Sequence, residues 1–302
     1  MHIPDGFLST PVWLSLDAVG VPAIGYLARR AQRELEESRV PLLGVMGAFV
    51  FAAQMINFPV GVGTSGHLVG AALLAIALGP AAASIVMTAI LAIQALVFQD
   101  GGVLALGANV LNMAVAGVLA GYLPYRLWGA GRFRKAAIFL GGACSVLAGA
   151  LLAILELLLS GVGMPASIVW VSLGLFTVTG ALEGAITLVV VEGVEALNPG
   201  FVQRPSGTGW ASLGMLGLGA VLLAAAGILL ASGYPDGLEK LAQKLGLETK
   251  AWNLFSTPLA DYSFRQLGSS WFSKASAGLV GLGLIYVLCL LVGRMISRRR
   301  SA

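Results

Sequence analysis

The sequence predicts an all-α, polytopic membrane protein of about nine transmembrane helices. Three observations carry that prediction. Apolar residues fill 58% of the 302 positions and charged residues only 11%, where a soluble domain usually has about 25% charged residues. The apolar residues fall in long runs, separated by short basic stretches. Glycine is abundant, at 41 residues, and small residues let membrane helices approach closely.

The runs place helices near 10–28, 41–58, 66–79, 81–98, 106–125, 136–159, 165–196, 210–232 and 275–296. Gly79-Pro80 separates the third from the fourth, because proline lacks an N–H and disfavours helix at the residue before it. Basic segments set the orientation, since short basic loops face the cytoplasm. Three stand out: Arg29 to Arg39, Arg126 to Lys135 and Arg294 to Arg300. Four spans between each consecutive pair put all three inside. The N-terminus then lies outside and the C-terminus in the cytoplasm. Segment 29–39 reads as a solvated connector.

Two units follow from composition. Residues 1–204 form a seven-helix core, and Arg204-Pro205-Ser206-Gly207 reads as a linker. Residues 205–302 form a two-helix unit with a polar outer segment at about 233–274. Within it, Pro235-Asp236-Gly237-Leu238-Glu239 is a turn entering a short amphipathic helix, with Asp236 as N-cap.

The chain holds two histidines. His2 adjoins the α-amine of Met1, and His67 sits in the loop-like patch Gly63-Thr64-Ser65-Gly66-His67. The amine, the His2 amide nitrogen and the His2 ring can close two fused chelate rings on one ion. A further imidazole from His67 completes a four-nitrogen plane. That set suits tetragonal Ni(II) or Cu(II) better than tetrahedral zinc. The competing reading is a chance second-position histidine and a buried, backbone-bonded His67. The topology puts both histidines on the outer face. No basic stretch precedes Arg29, so no cleavable signal is expected to remove Met1 and His2.

Metal-bound imidazoles usually donate their other N–H to an oxygen. Asn57, Thr64 and Ser65 are the candidates beside His67. Gln94, Asn109 and Asn112 read as amides bridging helices, and Gln99-Asp100-Gly101-Gly102 as a turn on the outer side. Gln54, Glu156 and Glu183 also fall in or near spans. Cys144 and Cys289 lie inside apolar runs and read as core residues. No phosphate-binding G-x-x-x-x-G-K-[ST] loop, H-E-x-x-H pair or nucleophilic triad is present, so no enzyme is predicted. The net charge of +4 comes from the short basic stretches and is no nucleic-acid signal.

Met1 to Ser9 (Met-His-Ile-Pro-Asp-Gly-Phe-Leu-Ser), Gly63 to His67 and Phe98-Gln99-Asp100-Gly101-Gly102 before Leu104, Gly107, Ala108 and Asn109 resemble the CbiM/NikM family. These are the substrate-binding components of energy-coupling factor transporters for nickel and cobalt. The resemblance covers roughly residues 1–200. The tail, with Pro235 to Glu239 and its two-helix layout, resembles a fused NikN or PDGLE-type unit. The resemblance implies a metal held by Met1, His2 and His67. It also implies a separate transmembrane coupling protein (NikQ/CbiQ-like) and cytoplasmic ATPases (NikO/CbiO-like), in the plasma membrane of a prokaryote. The Pro4-Asp5 opening looks more like nickel than cobalt members. The transported ion is then Ni(II), with Co(II) uptake for cobalamin synthesis as the alternative. A membrane metal sensor is a further alternative, disfavoured because no soluble signalling domain is present. The tail lacks histidine and is expected to lie outside the ligand set.

Overall fold

The computed structural model describes residues 1–61, 63–198, 201–202, 210–229, 231–264 and 270–298. Among the described residues, six helices are long and apolar enough to cross a membrane. They are α1 (Thr10–Glu34), α4 (Pro80–Ile93) with the wider π-helical turn Gln94–Phe98, the continuous helix α5–α6 (Leu106–Trp128), α7 (Arg134–Leu159), α8 (Ala166–Leu197) and α11 (Trp271–Arg298). Three more apolar helices are shorter: α2 (Val40–Gln54), α3 (Ala71–Leu78) and α9 (Trp210–Ala226). None of these three reaches the roughly 20 residues of a full span.

Each expected apolar run thus carries helix, but several boundaries move. The first helix runs on from 28 to Glu34, through half of the expected connector, with Ala31 buried. The run near 41–58 stops being helical at Gln54, and that near 66–79 begins only at Ala71. Between them lies an antiparallel hairpin, β1 (Asn57–Gly61) and β2 (Thr64–His67), pairing Asn57 with His67 and Pro59 with Ser65. The all-α expectation therefore gains one small sheet. Its physical cause is local. Pro59 breaks helix, and Gly61, Gly63 and Gly70 adopt positive φ, which glycine alone takes at little cost. The expected break at Gly79-Pro80 is present. Gly79 takes φ +82 and Pro80 opens α4, where its missing N–H does no harm.

The membrane pattern runs inside out. Leu14, Val21, Leu159, Trp170 and Val189 point outward from the bundle, while Gln54, Gln94, Asn109, Asn112, Glu156 and Glu183 are buried within it. Each of these interior polar groups has a partner. Asn112 donates to Glu156, and Gln94 donates to Gln54 and to Tyr262. Such bonds hold helices together where no water can substitute.

In the tail, α9 and α11 pack against α2. A Cβ at Gly47 would sit 2.9 Å from Cys289 Sγ, so the two helix backbones approach closely there. The short helix α10 (Gly237–Leu245) has a full capping box. Asp236 accepts from the Leu238 and Glu239 amides, and the Glu239 carboxylate accepts from the Asp236 amide. The expected linker at 204–207 and the final basic residues lie outside the described residues. The chain is a multi-pass membrane protein.

Candidate metal centre

Residues 1–8 do not trail into solvent. They fold back into the end of the bundle, with Ile3 fully buried. Asn109 grips Ile3 reciprocally, its Oδ1 accepting from the Ile3 amide at 2.8 Å and its Nδ2 donating to the Ile3 carbonyl at 3.1 Å. Gly102 also donates to the Ile3 carbonyl. Asp5 accepts from the amides of Val103, Leu104 and Ala105, just ahead of α5. A carboxylate there satisfies donors that a helix start leaves unpaired. A side chain at Gly102 would collide with Asp5, so the approach requires glycine.

His67 is fixed from the other direction. It ends β2, and its Nδ1 faces the Leu68 carbonyl at 3.0 Å. The next two amides, Val69 and Gly70, donate to Glu183 of α8, and Gln54 donates to the Val69 carbonyl. With Nδ1–H on the Leu68 carbonyl, the Nε2 lone pair faces the Met1 amine.

The two segments converge. The Met1 amine lies 2.5 Å from His67 Nε2. The His2 and His67 rings are parallel within 5°, with centroids 5.5 Å apart. His2 Nδ1 lies 3.1 Å from Asp100 Oδ1, and its buried Nε2 has no partner among the described residues. All three residues expected to hold metal, Met1, His2 and His67, therefore stand together.

The expected oxygen partners of His67 do not take that role. Asn57 pairs with His67 through the backbone register, Ser65 Oγ donates to the Tyr234 carbonyl, and Thr64 Oγ1 is buried without a partner among the described residues. The Leu68 carbonyl stands in their place. It is the neighbour in sequence, and a main-chain oxygen carries no side-chain signal.

The tail, expected to lie outside the ligand set, reaches the residues of that set without adding a nitrogen to it. Asp236 Oδ2 lies 2.6 Å from the Met1 amine and 3.4 Å from His67 Nε2. Burial alone would raise the Asp236 carboxyl, but the Met1 ammonium and His67 outweigh it and hold it well below the usual carboxylate range. Burial and the Asp236 charge push the neighbouring Glu239 up. Tyr262 donates to Asp100 Oδ2 at 2.5 Å. A small open cavity of about 170 Å³, bordered by His2, Phe7, Leu238, Glu239 and Glu248, reaches the site between the N-terminal segment and α10.

Among the described residues no three His, Cys, Asp or Glu converge as a ligand set. A set that includes the α-amine and the His2 amide nitrogen is not bound by that criterion. Its donors are nitrogens, suited to Ni(II), Cu(II) or Co(II) rather than to Mg(II) or Ca(II). Asp5, Asp100, Glu183, Asp236 and Tyr262 were not predicted as site residues. Asp5, Asp100 and Asp236 lie in quoted motifs and Glu183 among the polar residues of the spans, whereas nothing local marks Tyr262.

Residues 2–201 match the family model described as the cobalt uptake substrate-specific transmembrane region, and residues 210–298 match the PDGLE domain. The chain is 35% identical, over 95% of its length and 96% of the other, to a protein of Archaeoglobus fulgidus whose name assigns it to fused NikMN nickel transport. It is likewise 35% identical to the cobalt transport protein CbiM of Thermosediminibacter oceani, over 65% of this chain and 84% of that one. A solved structure described as a transition metal transporter shares 35% identity at a TM-score of 0.59, covering 68% of this chain and 100% of the other. These relatives are named as transport proteins, in keeping with a component that is not an enzyme. The chain belongs to the CbiM family, as a nickel/cobalt transport membrane component followed by a PDGLE domain.

Proposed function

We propose that this chain is the substrate-capturing component of an energy-coupling factor transporter for Ni(II). The ion is held in a near-square-planar set made by the Met1 amine, the His2 amide and ring nitrogens, and His67 Nε2. One observation carries the reading: the Met1 amine and His67 Nε2 stand 2.5 Å apart, with the other His67 nitrogen turned to a carbonyl. Donors at adjacent corners of a plane with bonds of about 2.0 Å lie about 2.8 Å apart. The pair is thus close to a ligating separation. Closing the second chelate ring requires His2 Nδ1 to leave Asp100 for the metal.

Nine membrane helices of unequal length, with the N-terminus outside and the C-terminus in the cytoplasm, put the cavity beside His2 on the outer face. The chain divides into a metal-binding core at 1–204 and a fused unit at 205–302, as the separate family matches support. A membrane coupling protein and cytoplasmic ATPases supply the energy. The Pro4-Asp5 opening and the fused nickel-transport relative favour nickel. Cobalt uptake is the second reading, favoured by relatives named for cobalt transport. The test is metal analysis of the protein purified with its native N-terminus from cells supplied with equal Ni(II) and Co(II). One equivalent of nickel supports the first reading and one of cobalt the second. Absence of both overturns both.

A further inference from the structure

We propose that the fused C-terminal unit is part of the metal site, with Asp236 as the positioning residue for the Met1 amine. The inference rests on the four-nitrogen reading above.

Asp236 divides its two oxygens between two tasks. Oδ1 accepts from the Leu238 and Glu239 amides and starts α10. Oδ2 is left for the Met1 amine at 2.6 Å. A helix cap needs only one acceptor oxygen, and asparagine or serine serves as well there. The charge on Asp236 is therefore surplus to capping. It lies beside an amine that needs a fixed direction if its lone pair is to meet a metal. An amine bound to a metal keeps two N–H groups, so the Asp236 contact persists on loading. It also offsets part of the ion's charge in a site where both the amine and the carboxylate are largely buried.

The surrounding contacts make this placement deliberate. Main-chain bonds tie the tail to both ligand-bearing segments. Trp252 donates to the Asp5 carbonyl, Ser65 donates to the Pro235 carbonyl, and Ser232 donates to the Asn57 carbonyl. Ser65 Oγ adds a bond to the Tyr234 carbonyl at 2.6 Å. Residues 232–236 thus lie against the hairpin that ends in His67, and Trp252 lies against the segment that begins with Met1. Asp236 is the side chain that this docking delivers to the ligands.

Two consequences follow. Outer groups that orient a metal ligand change affinity by roughly 10- to 100-fold when lost. Because metal and Asp236 act on the same amine, metal binding and docking of α10 strengthen each other by one common factor. The test uses the full chain with its native N-terminus in detergent. Ni(II) affinity and the visible Ni(II) spectrum are measured for the parent, Asp236→Asn, Asp236→Ser and Asp236→Glu. Amide exchange across Gly237–Leu245 is followed with and without Ni(II). Asn and Ser keep the cap and are expected to weaken Ni(II) binding by about 10- to 100-fold. Glu, which keeps the charge on a longer arm, is expected to recover part of the loss. In the parent, bound Ni(II) is expected to slow exchange in α10, an effect that Asn and Ser abolish. The inference is overturned if Asn and Ser bind Ni(II) with the parent's affinity and spectrum. It is equally overturned if stoichiometric Ni(II) leaves α10 exchange in the parent unchanged, a result that needs no variant. His67→Ala serves as control. If that variant binds like the parent, the four-nitrogen reading itself falls. If it loses nickel while Asp236→Asn does not, only the present inference falls.

Discussion

The α-amine of Met1 and the carboxylate of Asp236 lie 2.6 Å apart, across 235 positions of chain. Both are buried. A buried charge left without its partner is costly, because desolvation is then uncompensated. Each group therefore constrains the other. Asp236 keeps the N-terminus inside the bundle end, and Met1 keeps α10 down on the core. The pair also joins the two family regions that the chain matches, at 2–201 and 210–298.

One added residue ahead of Met1 is expected to abolish tight Ni(II) binding without unfolding the protein. The extension turns the amine into an amide and pushes a residue into the space that Asp236 and His67 occupy. A tag after Ala302 is expected to be harmless. Metal analysis of the two tagged proteins, with thermal unfolding as a control for fold, decides the matter; equal nickel content in both would falsify the role of the amine.

His2→Ala and His67→Ala are each expected to lose most Ni(II) binding. The double variant is expected to lose little more than either single one, because the donors act as one unit and their effects are not additive. Titration calorimetry on the three proteins reads this out. A His67→Ala protein that binds like the parent removes the fourth nitrogen from the site.

The Ni(II) complex is expected to be yellow and diamagnetic, as a square-planar nitrogen field requires. Zn(II), which prefers a tetrahedron, is expected to compete poorly. Cu(II) is expected to compete well, since affinity generally rises toward copper along the series. Absorption and magnetic susceptibility of the loaded protein check the geometry. A paramagnetic, pale complex rejects the plane.

Asp5→Ala is expected to weaken both fold and metal binding. The carboxylate accepts from three amides ahead of α5, and its loss leaves buried donors unpaired. The expected destabilisation is about 2–4 kcal/mol. Ni(II) affinity falls with it, since Ile3 and the residues before it lose their anchor. Chemical or thermal unfolding and a nickel titration on the same sample measure the two effects. Unchanged nickel affinity in a destabilised protein would separate the anchor from the site.

In reconstituted vesicles the chain alone is expected to bind Ni(II) without concentrating it, because its sequence holds no nucleotide-binding loop. Sustained uptake is expected only when a coupling protein and its ATPases are added with ATP. Accumulation by the isolated chain, driven by an ion gradient, points instead to a secondary transporter.

The apolar runs and their breaks were legible because they depend on local composition. The Gly79-Pro80 break is an example, since a proline ring acts on its own and the preceding residue. The hairpin at 57–67 was not legible as a sheet. Its strands are short and carry no alternating pattern; beyond the local breaks at Pro59 and the glycines, main-chain bonds from Ser65 and Asn57 to the tail hold them. From the sequence Asn109 reads as a bridge between helices, whereas in the structure it grips the backbone of Ile3. An amide in a span announces that it needs partners, but not which ones.

By itself the sequence determined a membrane bundle and an α-amine directly beside a second-position histidine. Span length follows from uninterrupted apolar runs, and chelate-ring closure by an amine and a second-position histidine involves only adjacent residues. Only the tertiary structure decided that residues 1, 2, 67, 100, 236 and 262 share one site. Those contacts join segments brought together by helix packing and by main-chain bonds between the tail and the hairpin. Pairing over such separations is set by the whole packed bundle, and no local pattern encodes it.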